Sequence, residues 1–277
     1  MPIAAQLDLH RPARPALRYF GGKWRLAPWV IGHLPPHRCY VEPFGGGASV
    51  LLRKDQVEVE VYNDLAGAVV NFFRVLRDRG EELVAKLQLT PFALDEYAAS
   101  REPTDDPVEA ARRFFVRSWG GHSGVEGCAR RDRGWRRTPD RDVARQMART
   151  VDEALVTAAR RLRGVAIDCK DYREVLEAYD TADTLFYVDP PYVQSSRARW
   201  NGPSDGYGAA YEMDDDGHRE LLERLLRLRG RVVVSGYPSE MYDAALKGWA
   251  RRERTSALNA SSGRATEVLW IKGGDRG

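Results

Sequence analysis

The sequence predicts an α/β fold in which a mainly parallel sheet is interrupted by a second, mainly helical lobe. Strand-like and helix-like segments alternate over residues 38–78 and again over residues 165–272, whereas helices and loops alone fill residues 79–164. A chain of 277 residues can bury a full core and still carry a sizeable insertion. We therefore expect residues 17–78 and 165–277 to form the sheet domain, with residues 79–164 as the inserted lobe.

Composition excludes several classes of protein. The chain is 43% hydrophobic and 30% charged, no apolar run reaches the length of a membrane span, and the N-terminus lacks a signal-peptide core. The three cysteines are far apart, with no Cys-x-x-Cys pair, so neither a disulfide framework nor a zinc site is indicated. We expect a cytoplasmic protein without a metal, and a mobile arm at residues 1–16, where Pro and Arg recur without periodicity.

The first glycine-containing segment is Tyr19-Phe20-Gly21-Gly22-Lys23, which precedes a helical pattern over residues 24–34. Two glycines before a helix let backbone N–H groups approach an anion, and Lys23 adds a positive charge there. The alternative is a glycine turn beside a solvated lysine.

A strand over residues 39–44, a glycine loop at 45–49 and a helix from residue 50 are predicted next. The loop lacks the Gly-Lys-Ser/Thr of a P-loop and the spacing of a dinucleotide fingerprint. Glu42, beside the loop, would repel a pyrophosphate but suits a ligand that carries an ammonium and a sulfonium.

The second strand, residues 57–62, ends at Asn63-Asp64. An acid at this place, about 20 residues after the glycine loop, commonly holds a ribose diol. Asp64 could instead be the N-cap of a helix that starts at Leu65 and stops at Gly80.

Further helices are predicted to begin at Thr90-Pro91 and Asp106-Pro107, and a long one spans residues 142–163. Between Arg130 and Arg149, eight arginines face three aspartates, a local net charge of +5 that suits phosphates. A solvated arginine-rich loop with buried tryptophans is the alternative. The candidate DNA-binding residues are Trp119, Arg130, Arg131, Arg133, Trp135, Arg136 and Arg137.

A strand over residues 165–169 leads to Asp171 and Tyr172. Asp171 is placed either to accept the amino group of an adenine ring, with Tyr172 beside it, or to cap the following helix. Both roles fit its position.

An apolar strand over residues 184–188 runs directly into Asp189-Pro190-Pro191-Tyr192. The prolines end the strand, so a carboxylate is delivered to the sheet edge where ligands bind. The Asp189 carboxylate and the Pro190 carbonyl offer two acceptors for an exocyclic amine, and Tyr192 offers a ring on which a base can stack. The alternative is a strand that simply ends in a proline turn.

The remaining chain completes the sheet. A polar segment over residues 193–211 is placed to close over a flipped base. Helices are predicted over residues 214–228 and 240–246, and strands over 231–235, 251–257 and 266–272.

With Phe20-Gly21-Gly22-Lys23, Glu42-Pro43-Phe44-Gly45-Gly46-Gly47, Asn63-Asp64 and Asp189-Pro190-Pro191-Tyr192 in this order, the chain resembles the Dam-type, alpha-group DNA adenine N6-methyltransferases. The resemblance implies a Rossmann-like sheet that binds S-adenosyl-L-methionine (AdoMet) and an inserted DNA-recognition lobe. It implies catalysis at Asp189, Pro190, Pro191 and Tyr192. It implies AdoMet contacts by Tyr19, Lys23, Glu42, Phe44, Gly45, Gly47, Asp64, Asp171, Tyr172 and Asp189.

The resemblance also implies that the partner is double-stranded DNA and that the enzyme is a monomer that does not bind a membrane. A cognate restriction endonuclease is a further candidate partner. Methylation of cytosine N4, of RNA adenine or of a protein amide is the close rival, and Asp189 favours adenine among them. A non-catalytic DNA-binding protein of the same fold and a nicotinamide-dependent oxidoreductase are the rivals from other classes.

Overall fold

The computed structural model describes residues 11–121, 135–136, 142–193, 212–257 and 264–273. Within these ranges the chain forms one seven-stranded sheet with helices packed against it. The predicted α/β architecture is confirmed. No helix in the described part of the chain is both long and apolar enough to cross a membrane.

The sheet is mostly parallel and has the strand order β3-β2-β1-β4-β5-β7-β6. Only β7 runs against its neighbours β5 and β6. Strand β4 is buried along its whole length, as its apolar sequence predicts. The strands are β1 (Cys39–Glu42), β2 (Val59–Asn63), β3 (Val165–Asp168), β4 (Thr184–Val188), β5 (Arg231–Gly236), β6 (Ala250–Ala257) and β7 (Arg264–Lys272).

The strand order reverses between β1 and β4, which pair in register through Val41 and Phe186. From β1 the chain adds β2 and β3 on one side and later β4 and β5 on the other. Loops leave the carboxyl ends of β1 and β4 in opposite directions, so a crevice opens between them. This crevice positions the site described below.

Ten α-helices lie within the described ranges, and their bounds differ in places from the sequence pattern. The predicted long helix over residues 142–163 is divided by a π-helical segment, Thr150–Leu155. The helices are α1 (Ala27–Ile31), α2 (Gly67–Asp78), α3 (Gly80–Gln88), α4 (Leu94–Ala99), α5 (Pro107–Gly120), α6 (Val143–Arg149), α7 (Val156–Arg161), α8 (Tyr172–Tyr179), α9 (Asp215–Arg227) and α10 (Glu240–Ala245).

Two predicted helix starts were wrong. Thr90 does not cap a following helix, because its side chain donates to the Lys86 carbonyl and its N–H to the Leu87 carbonyl, which places it at the end of α3. Residues 50–53 form turns rather than a helix. Here the N–H of Leu51 donates to the Glu42 carboxylate, a tertiary bond that competes with helix formation.

The helices of the predicted insertion share one hydrophobic core with the sheet domain. Phe72 of α2 lies with its ring 6.1 and 6.2 Å from the rings of Phe114 and Phe115 of α5, and all three are buried. The end of the expected mobile arm is packed as well, since Ala16 is fully buried and Arg14 pairs with Glu153. Residues 1–10 lie outside the described ranges.

An ionic cluster lies in the interior between β2 and α7. Glu60 accepts hydrogen bonds from Lys54 (2.6 Å) and from two nitrogens of Arg161 (2.6 and 2.9 Å), and all three side chains are buried. Two cations thus share one carboxylate. The cluster ties the loop after β1 to the helix that leads into β3.

Candidate active site

A cavity of about 530 Å³ opens at the carboxyl ends of β1, β2 and β4. All ten residues for which the sequence predicts AdoMet contacts line it, although they come from distant parts of the chain. The topology explains this convergence, because parallel strands deliver their following loops to the same edge of the sheet. The ten residues are Tyr19, Lys23, Glu42, Phe44, Gly45, Gly47, Asp64, Asp171, Tyr172 and Asp189.

The floor of the cavity is the glycine loop after β1. A Cβ atom at Gly45 would lie 2.2 Å from the ring of Tyr62, so only glycine fits there. Gly46 has a φ of 47°, in the left-handed region that favours glycine. Tyr19 packs over the same loop, 3.0 Å from where a Cβ of Gly46 would stand. The loop therefore exposes its backbone to the cavity between two aromatic side chains.

Glu42 ends β1 at the cavity wall and is 2% exposed. Its Oε1 accepts hydrogen bonds from the Tyr40 hydroxyl (2.7 Å) and the Leu51 N–H (2.8 Å). Burial raises the pKa of Glu42 to about 7, although both hydrogen bonds oppose the shift. A cation in the cavity would favour the ionised form of this carboxylate.

Asp64 ties the glycine loop to the start of α2. Its two oxygens accept from the Gly46 N–H and the Ala66 N–H, both at 2.8 Å. The N-cap residue of α2 is Ala66, so the alternative role of Asp64 as a conventional N-cap is not what the fold uses. Burial raises the pKa of Asp64, which lines the cavity.

Asp171 is the N-cap of α8, and its side chain accepts from the Arg173 N–H at 2.9 Å. It also forms an ion pair with the Arg173 guanidinium. The ring of Tyr172 lies 5.2 Å from that of Phe44, and its hydroxyl is buried without a hydrogen-bond partner among the described residues. Capping does not exclude a ligand contact, because Asp171 also lines the cavity.

Asp189 follows β4 and is held by two side chains. Lys23 Nζ donates to Asp189 Oδ1 at 2.8 Å and to Oδ2 at 3.0 Å, and the Ser235 hydroxyl donates to Oδ1 at 2.9 Å. Lys23 is 5% exposed. Both alternatives for Lys23 were wrong: it is neither a solvated lysine nor part of an anion site at a helix opening, because it is buried, α1 begins four residues later and the ammonium is paired with Asp189.

Tyr192 completes a buried polar network with Lys23 and Glu267. Its hydroxyl accepts from Lys23 Nζ and donates to Glu267 Oε1 at 3.2 Å. Burial alone would lower the pKa of Lys23, but the negative charges of Asp189 and Glu267 outweigh it, so that pKa lies well above its usual value. Burial raises the pKa of Glu267 to about 7.

The four residues of the Asp-Pro-Pro-Tyr segment divide between two concave surfaces. Asp189 and Pro191 line the large cavity, whereas Pro190, Pro191 and Tyr192 line a smaller adjoining cleft. The ring of Tyr192 lies 4.4 Å from that of Tyr237 in this cleft. The segment therefore separates the two surfaces.

Sequence reasoning missed two residues of the site, Ser235 and Glu267. Ser235 lies at the carboxyl end of β5, so its place next to the reactive edge could have been inferred from the strand order. Glu267 lies in the apolar run of β7 and is 4% exposed. An acid within such a run is itself a signal, because burying a carboxylate is costly unless it has partners.

The predicted DNA-binding residues are only partly described. Trp119 is 5% exposed and packs against Phe115 in the core, which corrects the expectation that it is a DNA-binding residue. Trp135 lies with its ring 4.5 Å from Phe92 and forms a bridge with Gly121. Arg136 is partly exposed. The other predicted contacts, Arg130, Arg131, Arg133 and Arg137, lie outside the described residues, as does the expected closing segment from residue 194 to residue 211.

Several known proteins are similar to this chain in sequence. The family described as D12 class N6 adenine-specific DNA methyltransferase matches residues 19–247. A DNA adenine methylase from Escherichia coli is 28% identical over 270 residues, which cover 92% of this chain and 94% of that protein. One from Serratia marcescens is 27% identical over 189 residues, 66% of this chain and 68% of the relative. One from Vibrio cholerae is 24% identical over 273 residues, covering 93% and 95%.

Proposed function

Because the chain belongs to the family of D12 class N6 adenine-specific DNA methyltransferases, we propose that it transfers the methyl group of AdoMet to the amine of an adenine flipped out of double-stranded DNA. The observation that carries this proposal is the position of Asp189, which lines the large cavity, whereas Pro190 and Tyr192 of the same segment line the small cleft on its other side. A cofactor on one side and a base on the other would meet at this carboxylate.

The chemistry of the cavity fits AdoMet. Glu42, Asp64 and Asp171 are among the carboxylates that line it, and the cofactor carries an ammonium, a ribose diol and an adenine amine that such groups can hold. Tyr172 and the glycines at 45–47 line the same cavity, so an aromatic ring and the loop backbone border the space that the cofactor would occupy. When bound, AdoMet supplies a methyl group activated by its positively charged sulfur.

The residues of this chain have to orient the acceptor nitrogen. The Asp189 carboxylate and the Pro190 carbonyl would each accept one hydrogen of the adenine amine, which turns its lone pair towards the methyl group. Lys23 and Ser235 fix the orientation of the carboxylate before the base arrives. Tyr192 would stack on the base. The leaving group already carries a positive charge, so the transfer requires neither a metal nor a covalent intermediate.

The inserted lobe is the proposed DNA-recognition surface, with Arg136 and the other arginines of residues 130–149 as contacts to the backbone. Residues 17–78 and 165–277 form the proposed catalytic domain. We propose a monomer that acts in the bacterial cytoplasm, where its DNA substrate is found, and the relatives named above are bacterial proteins. A cognate restriction endonuclease stays a prediction from the sequence.

The proposal is tested by methylating mixed-sequence genomic DNA with the purified protein and AdoMet, read by sequencing that distinguishes N6-methyladenine from N4-methylcytosine. Methylated adenine within one short motif is expected, and it would also supply the target sequence. Asp189→Ala should abolish this signal while AdoMet binding stays measurable by calorimetry. Methylated cytosine, or a fully active Asp189→Ala variant, would contradict the proposal.

A further inference from the structure

Glu267 is a buried acid that has no role in the chemistry described so far. It lies on β7, between the apolar core of the sheet and the Asp-Pro-Pro-Tyr segment. Its Oε1 lies 3.5 Å from Lys23 Nζ and 3.2 Å from the Tyr192 hydroxyl, and its Oε2 lies 3.5 Å from the same hydroxyl. Glu267 thus contacts both Lys23, which holds Asp189, and the tyrosine of the Asp-Pro-Pro-Tyr segment.

The network holds more acid than base. One ammonium, that of Lys23, lies between two carboxylates, Asp189 at 2.8 Å and Glu267 at 3.5 Å. Among the described residues, the hydroxyls of Tyr187 and Tyr192 are the other titratable groups that face Glu267. On β6 its register partner is Arg254, whose side chain is exposed. The carboxylate that is farther from the ammonium is the one best placed to take up a proton.

Methyl transfer to an amine generates a proton that has to leave. The acceptor nitrogen gains a carbon and a positive charge, and it becomes neutral only when one of its hydrogens departs. Asp189 is the group proposed to hold that hydrogen. A proton left on Asp189 would prevent the carboxylate from orienting the next adenine, so the site needs a second acceptor.

We propose that Glu267 receives the proton that the adenine amine loses on methylation, passed on from Asp189 through the ammonium of Lys23. This inference rests on the proposed role of Asp189. In the first step the N–H bond of the methylated amine breaks and an O–H bond forms on Asp189. In the second, Lys23 gives one proton to Glu267 and takes one from Asp189. The ammonium and the Asp189 carboxylate are regenerated, and the proton rests on Glu267.

The other members of the network suit this task less well. Lys23 begins fully protonated, so it can relay a proton but cannot store one. Ser235 donates to Asp189 and lacks a charge with which to hold a proton. Burial raises the pKa of Tyr187 well above its usual value, which keeps that hydroxyl protonated. The pKa of Glu267, about 7, lets it accept a proton and release it again near neutral pH.

The test is the rate of a single round of methylation, measured from about pH 6 to about pH 8.5, a range that brackets the pKa of Glu267. AdoMet and DNA are kept at saturating concentrations, so that changes in binding do not affect the rate. In the unaltered enzyme the rate should rise with pH around 7 and then level off, because Glu267 accepts a proton only when ionised. Glu267→Gln keeps the shape of the side chain but cannot accept the proton. At high pH it should be about 10-fold to 100-fold slower and lose the rise, with AdoMet affinity within about twofold.

The matched control is Glu253→Gln, the same change on the adjacent strand β6, where the side chain is exposed and paired with Arg251. It should leave the profile unchanged. A rate for Glu267→Gln equal to that of the unaltered enzyme at every pH would overturn the relay. If Glu267→Gln fails to fold, the profile of the unaltered enzyme decides, because a flat rate across neutral pH excludes the relay. An active Asp189→Ala variant would instead overturn the proposed function beneath it.

Discussion

Lys23 and Asp189 are 166 residues apart in the sequence, yet the ammonium of the first donates hydrogen bonds to both carboxylate oxygens of the second. The contact joins the N-terminal glycine segment to the end of β4. Because Lys23 is also 3.5 Å from Glu267, one cation holds two acids in the interior of the site. Asp189, the proposed acceptor of the adenine amine, is therefore oriented by a residue that is distant from it in the sequence.

Replacing Lys23 by Met should remove this support while keeping the length of the side chain. Asp189 and Glu267 would then lie close together without a cation, a loss that typically costs about 3–5 kcal/mol for a buried pair. We expect the free energy of unfolding at about pH 8 to fall by about that amount. The rate of a single methylation round should fall about 100-fold or more, since Asp189 loses its orientation.

The measurements are urea unfolding and single-round methylation under the same mildly alkaline conditions. Lys247→Met is the control, since this lysine is exposed near the end of α10. The control variant should match the unaltered enzyme in its free energy of unfolding and in its rate of methylation. A Lys23→Met variant with unchanged stability would show that the ammonium is not the cation that balances the two acids.

Features of the site that are encoded by neighbouring residues could be predicted from the sequence, whereas contacts between distant segments could not. The strand before Asp189, the loop around Gly45 and the acid at Asp64 are each encoded within about ten residues, and the strand order brings their ends together. The bonds from Lys23 to Asp189 and from Tyr192 to Glu267 span 166 and 75 residues, so no local pattern reveals them. Thr90 was assigned to the wrong helix for a different reason, since a threonine before a proline also suits the end of the preceding helix.

Glu42 should make AdoMet binding depend on pH. Burial raises the pKa of this carboxyl to about 7, so it is mostly protonated one unit below that value and mostly ionised one unit above it. A cationic ligand favours the ionised form, and therefore the affinity for AdoMet should increase from about pH 6 to about pH 8, by about fivefold if the ligand lowers the pKa by one unit and by about tenfold at most.

The measurement is isothermal calorimetry of AdoMet binding at both pH values, with Glu42→Gln as the matched variant. The amide of this variant would keep an acceptor for the Tyr40 hydroxyl and the Leu51 N–H but would not titrate. The affinity of this variant for AdoMet should change less with pH than that of the unaltered protein. Because the titration of AdoMet itself affects both proteins equally, it cancels in this comparison. If the affinity for AdoMet changed with pH to the same extent in both proteins, the positive charges of AdoMet would not lie next to Glu42.

The buried cluster around Glu60 should contribute to stability rather than to catalysis. Glu60→Gln would leave the charges of Lys54 and Arg161 facing each other in the interior, at a cost of about 3–5 kcal/mol in the free energy of unfolding. The measurement is urea unfolding at neutral pH. The control is Glu58→Gln, which removes an ion pair with Arg38 that is exposed to solvent and should therefore leave the free energy of unfolding nearly unchanged. An equal decrease in the free energy of unfolding in the two variants would contradict the conclusion that the buried ion pairs of Glu60 stabilise the fold more than an exposed ion pair does.

Arg136 offers a test of the proposed DNA surface, because its backbone N–H donates to the Gly120 carbonyl at 2.7 Å and so fixes it beside the end of α5. If its side chain contacts a phosphate, Arg136→Ala should weaken binding of all DNA sequences alike and reduce the salt slope by about one. If it reads a base, specificity should relax at one position of the target instead. Fluorescence anisotropy with DNA of several sequences, measured across salt concentrations, distinguishes a phosphate contact from a base contact.

The control is Arg229→Ala, which replaces an exposed arginine beside the amino end of β5. Unchanged affinity of Arg136→Ala at every salt concentration, with specificity also intact, would remove Arg136 from the DNA surface.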